Sequence, residues 1–86
     1  MHRERLGFFR ALIVEISDAS DLAAVITEED GYPVLSVTRV DATRSLIVGC
    51  LYWHGVWYFT TPDIRTFARA DNAPAAALAV KRAMRE

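Results

Sequence analysis

With one cysteine, Cys50, this 86-residue chain has no internal disulfide framework. Its fold must stand on an apolar core alone, which fits a reducing compartment. Glycine is scarce and scattered, so no phosphate-cradling loop is present. No apolar run approaches the ~20 residues that span a bilayer. The first apolar stretch is interrupted by Arg10 and Glu15, unlike a signal peptide. A membrane role is not expected, and the cytoplasm is the default location. The formal net charge of −1 argues against a general polyanion binder.

What remains is a globular composition, 52% hydrophobic and 24% charged, of a length that suits a single domain. Charge is unevenly spread. Between Arg10 and Arg39 stand Glu15, Asp18, Asp21, Glu28, Glu29 and Asp30 with no Lys or Arg, while bases outnumber acids from Arg39 onward. Two solvated faces are the simplest account of such segregation.

The stretch Ser45 to Thr61, SLIVGCLYWHGVWYFTT, is dense in the β-branched and aromatic residues that suit a pleated surface. It reads as a hairpin turning at His54-Gly55, where Gly supplies positive φ and His tolerates it. Trp53 then faces Val56, Tyr52 faces Trp57, Leu51 faces Tyr58 and Cys50 faces Phe59. One side carries Leu46, Val48, Cys50, Tyr52, Trp57 and Phe59. The other carries Ile47, Gly49, Leu51, Trp53, Val56, Tyr58 and Thr60. A hairpin with one wet face should alternate apolar and polar. This one is apolar on both, so both faces should be covered.

Met1 to Ile16 reads as an amphipathic helix with Leu6, Phe9, Ile13 and Ile16 at helical spacing and Phe8 and Leu12 beside them. Ser17 to Asp21 breaks it. Leu22 to Glu28 is read as a strand in preference to a continued helix, because Val-Ile-Thr is β-branched. It would pair with Tyr32 to Val40 across Glu29-Asp30-Gly31. A four-residue loop at Asp41 to Arg44 would set Val40 opposite Ser45 and Leu35 opposite Cys50. That register puts Leu35 and Val37 on the helix side, and Ser36 and Thr38 on the other. Pro62-Asp63 should turn the chain into a short edge strand, Ile64 to Arg69, with Phe67 beside Tyr58 and Arg65 and Arg69 flanking it. Asp71 or Asn72 caps a last helix with Pro74 in its first turn. Ala73, Ala76, Ala77, Val80, Ala83 and Met84 form its buried stripe. The expected fold is α+β: a helix, an antiparallel meander of four to five strands and a second helix, both helices on one face.

Trp57-Tyr58-Phe59, the Asp71 to Ala77 helix start and, more weakly, Pro33-Val34-Leu35 resemble small uncharacterised α+β proteins of high-GC bacteria. Those have an N-terminal helix, a Trp-rich antiparallel meander and a C-terminal helix, although they more often carry an acid directly before the proline. The resemblance implies this fold and brings no activity with it.

Catalytic chemistry finds no assembled set. Cys50 and His54 lie four residues apart on a strand, more than ~12 Å, and a nucleophilic thiol needs its base within hydrogen-bond reach. Cys50 reads as a small core residue and His54 as a turn residue. His2, His54 and Cys50 lack paired metal-ligand spacing, and Glu28-Glu29-Asp30 lacks the alternating oxygens of a calcium loop. Neither a metal nor a cofactor is expected, and the chain is not read as an enzyme.

The feature that stands out is the outer sheet face, where Leu51, Trp53, Tyr58 and Phe67 are edged by Arg65, Arg69, Ser36 and Thr38. Aromatic residues and Arg are enriched at protein interfaces. Helical cover would make this face core. Without cover it is a contact surface, and the expected function is a non-catalytic accessory or protein-interaction module, homodimeric through that face. A chaperone-like or regulatory protein holding a client segment is the alternative. Single-stranded nucleic acid ranks below both, because the first half is acidic.

Overall fold

The computed structural model describes residues 2–41, 44–62 and 65–85. Helix α1 (His2–Ile16) leads into strands β1 (Leu22–Glu29), β2 (Tyr32–Arg39), β3 (Ser45–Trp53), β4 (Val56–Thr60) and β5 (Thr66–Arg69), and α2 (Ala73–Arg85) ends the chain. The strands form one antiparallel meander in sequence order. Both helices pack on the same face of it, α1 against β1 and β2 and α2 against β5. The expected α+β architecture is the observed one.

The helices form where the apolar spacing placed them. Phe9, Leu12 and Ile16 of α1 are fully buried, and Phe9 stacks on Phe59 with ring centroids 6.1 Å apart. Asn72 caps α2: its Oδ1 accepts from the Ala75 amide at 3.3 Å, one of the donors that a helix start otherwise leaves unmet. Pro74 sits in the first turn, where its lack of an N–H costs nothing. Ala76, Ala77, Val80 and Met84 face the core. The segregated charges meet in space: Lys81 donates to Asp18 Oδ1 at 2.6 Å and Arg85 to Asp21 Oδ1 at 3.1 Å. The acidic connection after α1 is thereby clipped to the basic end of α2.

Segment 22–28 is a strand, extended to Glu29. The β3–β4 hairpin has the expected register, Trp53 opposite Val56 down to Cys50 opposite Phe59. His54 at φ 50° and Gly55 at φ 80° make its two-residue turn, a twist that matches flanking strands. Asp30 at φ 53° and Gly31 at φ 82° do the same between β1 and β2. That turn is one residue shorter than expected, since Glu29 pairs with Tyr32.

The β2–β3 register differs by two residues from the expected one: Leu35 lies opposite Val48 and Thr38 opposite Ser45. The ladder closes where the Arg39 amide donates to the Arg44 carbonyl at 3.2 Å, so the loop starts at Val40 rather than Asp41. Val40 instead donates its amide to Asp21 at 3.0 Å, towards β1. A slip of two preserves the faces, and Leu35, Val37, Val48, Cys50 and Phe59 are all buried beneath the helices. Parts of three expectations, the turn through Ala42 and Thr43, the turn at Asp63 and the strand start at Ile64, fall outside the described residues. Within them, β5 begins at Thr66.

Candidate functional site

Strand alternation separates two faces, and only one has helices on it. On β1, Ala24 and Ile26 pack against the core, so Ala23, Val25, Thr27 and Glu29 face the other way. Val25 is 61% exposed and Trp53 58%. Ile47, Leu51, Val56 and Tyr58 are half-buried, shielded by one another across the strands. Trp53 sets its ring edge-on to His54 at 4.6 Å between centroids, which holds the indole at the hairpin tip.

Four of the six residues expected at a contact face, Leu51, Trp53, Tyr58 and Arg69, come together on this open side. Arg69 pairs with Tyr58, which pairs with Leu51. Phe67 does not join them. A β-bulge between Phe59 and Thr60 adds a residue on β5 and re-aims its side chain. Phe67 therefore lies under the helices, 6.2 Å from Phe59 between ring centroids. It lines an apolar cavity of about 120 Å³ with Leu46, Ala79, Val80 and Ala83. Arg65 is exposed in the connection before β5, where its amide donates to Thr61 Oγ1 at 3.3 Å. It stands apart from the Arg69 row.

Two cross-strand rows flank the β2–β3 seam at one level: Glu29 pairs with Tyr32 on one side, and Leu51 with Tyr58 and Tyr58 with Arg69 on the other; Tyr32 and Leu51 themselves are not paired. An outward carboxylate stands at one edge and an outward guanidinium at the other. Glu28, Glu29 and Asp30 have no ion pair among the described residues. Arg69 grips Asp71 through Nε to Oδ1 at 3.0 Å and Nη2 to Oδ2 at 2.9 Å. The guanidinium beside it holds the Asp71 carboxyl below its ordinary value. Nη1 takes no part in that grip.

The seam between these rows is one that sequence reasoning missed. The paired register of β2 with β3 stops at Leu35 and Val48, although continuing it would set Pro33 opposite Cys50. Proline has no N–H to give. The Cys50 carbonyl instead accepts from Arg5 Nε of α1 at 3.0 Å. The Arg5 guanidinium sits 5.2 Å from the Trp57 ring centroid and 5.5 Å from that of Tyr32, within cation–π range. Its Nη1 is buried with no hydrogen-bond partner among the described residues. A cavity of about 190 Å³ lies at this parting, lined in part by Arg5, Pro33, Val34, Gly49 and Thr60. The legible signal was Pro33 inside a strand, which announces a missing ladder bond; nothing in the sequence names Arg5 as its substitute.

The Cys50 side chain faces the core, and burial pushes its thiol up to about 12, with Arg5 opposing only in part. At neutral pH the thiol stays protonated, whereas a nucleophile must be a thiolate. His54 is held in the turn at the exposed hairpin tip. Among the described residues no three His, Cys, Asp or Glu side chains gather as metal ligands, and no helix is long and apolar enough to cross a membrane. None of the known family models, curated proteins or solved structures matches this chain.

Proposed function

We propose that this domain is a non-catalytic protein-interaction module that self-associates through the open face of its sheet. The observation that carries the reading is a sheet with helices on one side only and an apolar, aromatic-bearing second side, with Trp53 58% and Val25 61% exposed. Strands spaced ~4.8 Å and rising ~3.3 Å per residue give this face roughly 500 Å² in projection. Side-chain relief brings its accessible area towards the ~800 Å² per partner of a standard interface. Two sheets stacked face to face would sit ~10 Å apart. The product is a four-layer particle with helices outside and the two sheets within.

Light scattering coupled to size exclusion across a concentration series tests the reading. The wild type is expected to dimerise in the micromolar range. Tyr58→Glu, which puts a charge at the middle of the face, is expected to yield a folded monomer with an unchanged circular dichroism spectrum. A wild type that stays monomeric at several hundred micromolar overturns the proposal. Loss of folding in Tyr58→Glu shows that the face belongs to the core.

A further inference from the structure

The open face carries its own instruction for how two copies meet. Extending the β2–β3 register beyond its last pair, Leu35 with Val48, brings Tyr32 level with Leu51, so that Glu29 on the β1 edge and Arg69 on the β5 edge stand at about the same height, with Leu51 of the central strand midway. β1 and β5 run in the same direction, since three alternating strands lie between them. A two-fold axis parallel to the strands and passing by Leu51 exchanges left for right and leaves height along the strand unchanged. It therefore lays β1 of one copy over β5 of the other at about the same height. A two-fold running across the strands stacks β1 on β1 and leaves both charges without an opposite.

We infer that the occupant of the open face is a second copy related by the first of these axes. Glu29 of each protomer then faces Arg69 of its partner, twice per dimer. This rests on the self-association proposed above and adds its symmetry and its charge pairing. The donors are available. A guanidinium presents five N–H groups in a fixed fork, and the Asp71 contact uses Nε and Nη2. The Arg69 side chain is 58% exposed, so a carboxylate arriving from above the sheet can reach Nη1. The Asp71 carboxylate already offsets part of the Arg69 charge, so the Glu29 contact is a modest one. Contacts at such a rim set orientation and discriminate between partners more than they add affinity, while Leu51, Tyr58 and Trp53 supply the buried area. The arrangement is isologous, as a closed two-fold pair requires.

The test uses charge reversal in the full chain. Glu29→Arg leaves two bases facing each other across the dimer, and Arg69→Glu leaves two acids. Each variant alone is expected to dimerise about fivefold to tenfold more weakly than wild type at low salt. In an equimolar mixture of the two, a protomer of each kind can pair so that one contact joins the two substituted side chains and the other joins the two native ones. Opposite charges then meet at both contacts. The mixture is expected to form a heterodimer, read by native mass spectrometry with one partner isotope-labelled, to within about twofold of wild-type affinity. Recovery that fades as salt rises supports the pairing, because rim charges are screened. If both variants dimerise like wild type, or if the mixture fails to recover, the two-fold described here is wrong while self-association stands. If wild type itself does not dimerise, the underlying reading fails instead. Because both substitutions lie on exposed side chains, circular dichroism of each variant should match wild type. Should one of them unfold, Glu29→Gln and Arg69→Gln serve in its place, with partial weakening of each homodimer expected and a wild-type result again overturning the pairing.

Discussion

The β3–β4 hairpin closes on a two-residue turn whose backbone angles suit His54 and Gly55, whereas the β2–β3 seam is completed by a side chain 45 residues away in sequence. In the hairpin the strands pair residue by residue up to the turn, and the information is local. At the seam Pro33 withholds the amide, and tertiary packing brings Arg5 to replace it. Nearest-neighbour chemistry holds the hairpin throughout, whereas the β2–β3 junction is held by its own ladder at one end and by the docking of α1 at the other. A sheet can thus look continuous while two distinct mechanisms keep it so.

Removing the remote donor should produce the largest effect. Arg5→Ala leaves the Cys50 carbonyl without a donor and strips the guanidinium from between two rings. It is expected to lower stability by about 2–3 kcal/mol in urea denaturation. Pro33→Val sharpens the contrast by offering the amide that the seam lacks. In that background the cost of Arg5→Ala should shrink by about 1 kcal/mol, and a double-mutant cycle measures the coupling. A cost that does not change shows that Arg5 contributes by packing alone.

Breaking the local side should cost less. Gly55→Ala forces a side chain onto φ 80° and is expected to destabilise by about 1–2 kcal/mol, with no dependence on whether Arg5 is present. The two sites should add in the double variant, because the turn and the seam share no partner.

Acidification should have the smallest effect and touch neither region first. Asp18, Asp21 and Asp71 are each held below the ordinary aspartate value of 3.8, by Lys81, Arg85 and Arg69 respectively. Groups so depressed stabilise the fold above the unfolded value and lose that contribution as pH falls through the folded one. Stability should therefore be level between pH 7 and 5 and fall only below about pH 4. Asp18→Asn with Asp21→Asn should flatten that decline, as thermal melts across the range will show.

The same contrast explains what could be read in advance. The β3–β4 pairing was legible residue by residue, because alternating apolar residues around His-Gly admit one register. The β1–β2 pairing was legible as a strand pair but off by one residue at the turn, since Glu29 can extend a strand or open a loop. In the β2–β3 connection a four-residue loop fits from Val40 as well as from Asp41, and both placements bury the same side chains. Periodicity could not choose between them; the bond from Val40 to Asp21 did. On the candidate face, Leu51, Trp53, Tyr58 and Arg69 followed from alternation. Phe67 did not, because a bulge suspends the alternation on which the inference depends. Arg5 was out of reach, since its role exists only once α1 has docked.

The donor that closes the open end of the β2–β3 seam belongs to the helix on the far side of the sheet. A chain deprived of its first turns would keep the β2–β3 ladder from Leu35 to Thr38 but lose the donor that closes its Pro33–Cys50 end, and the open face would part there. Completing that end of the sheet therefore takes a long-range contact as well as strand pairing. Whatever loosens the helix also loosens the surface it never touches.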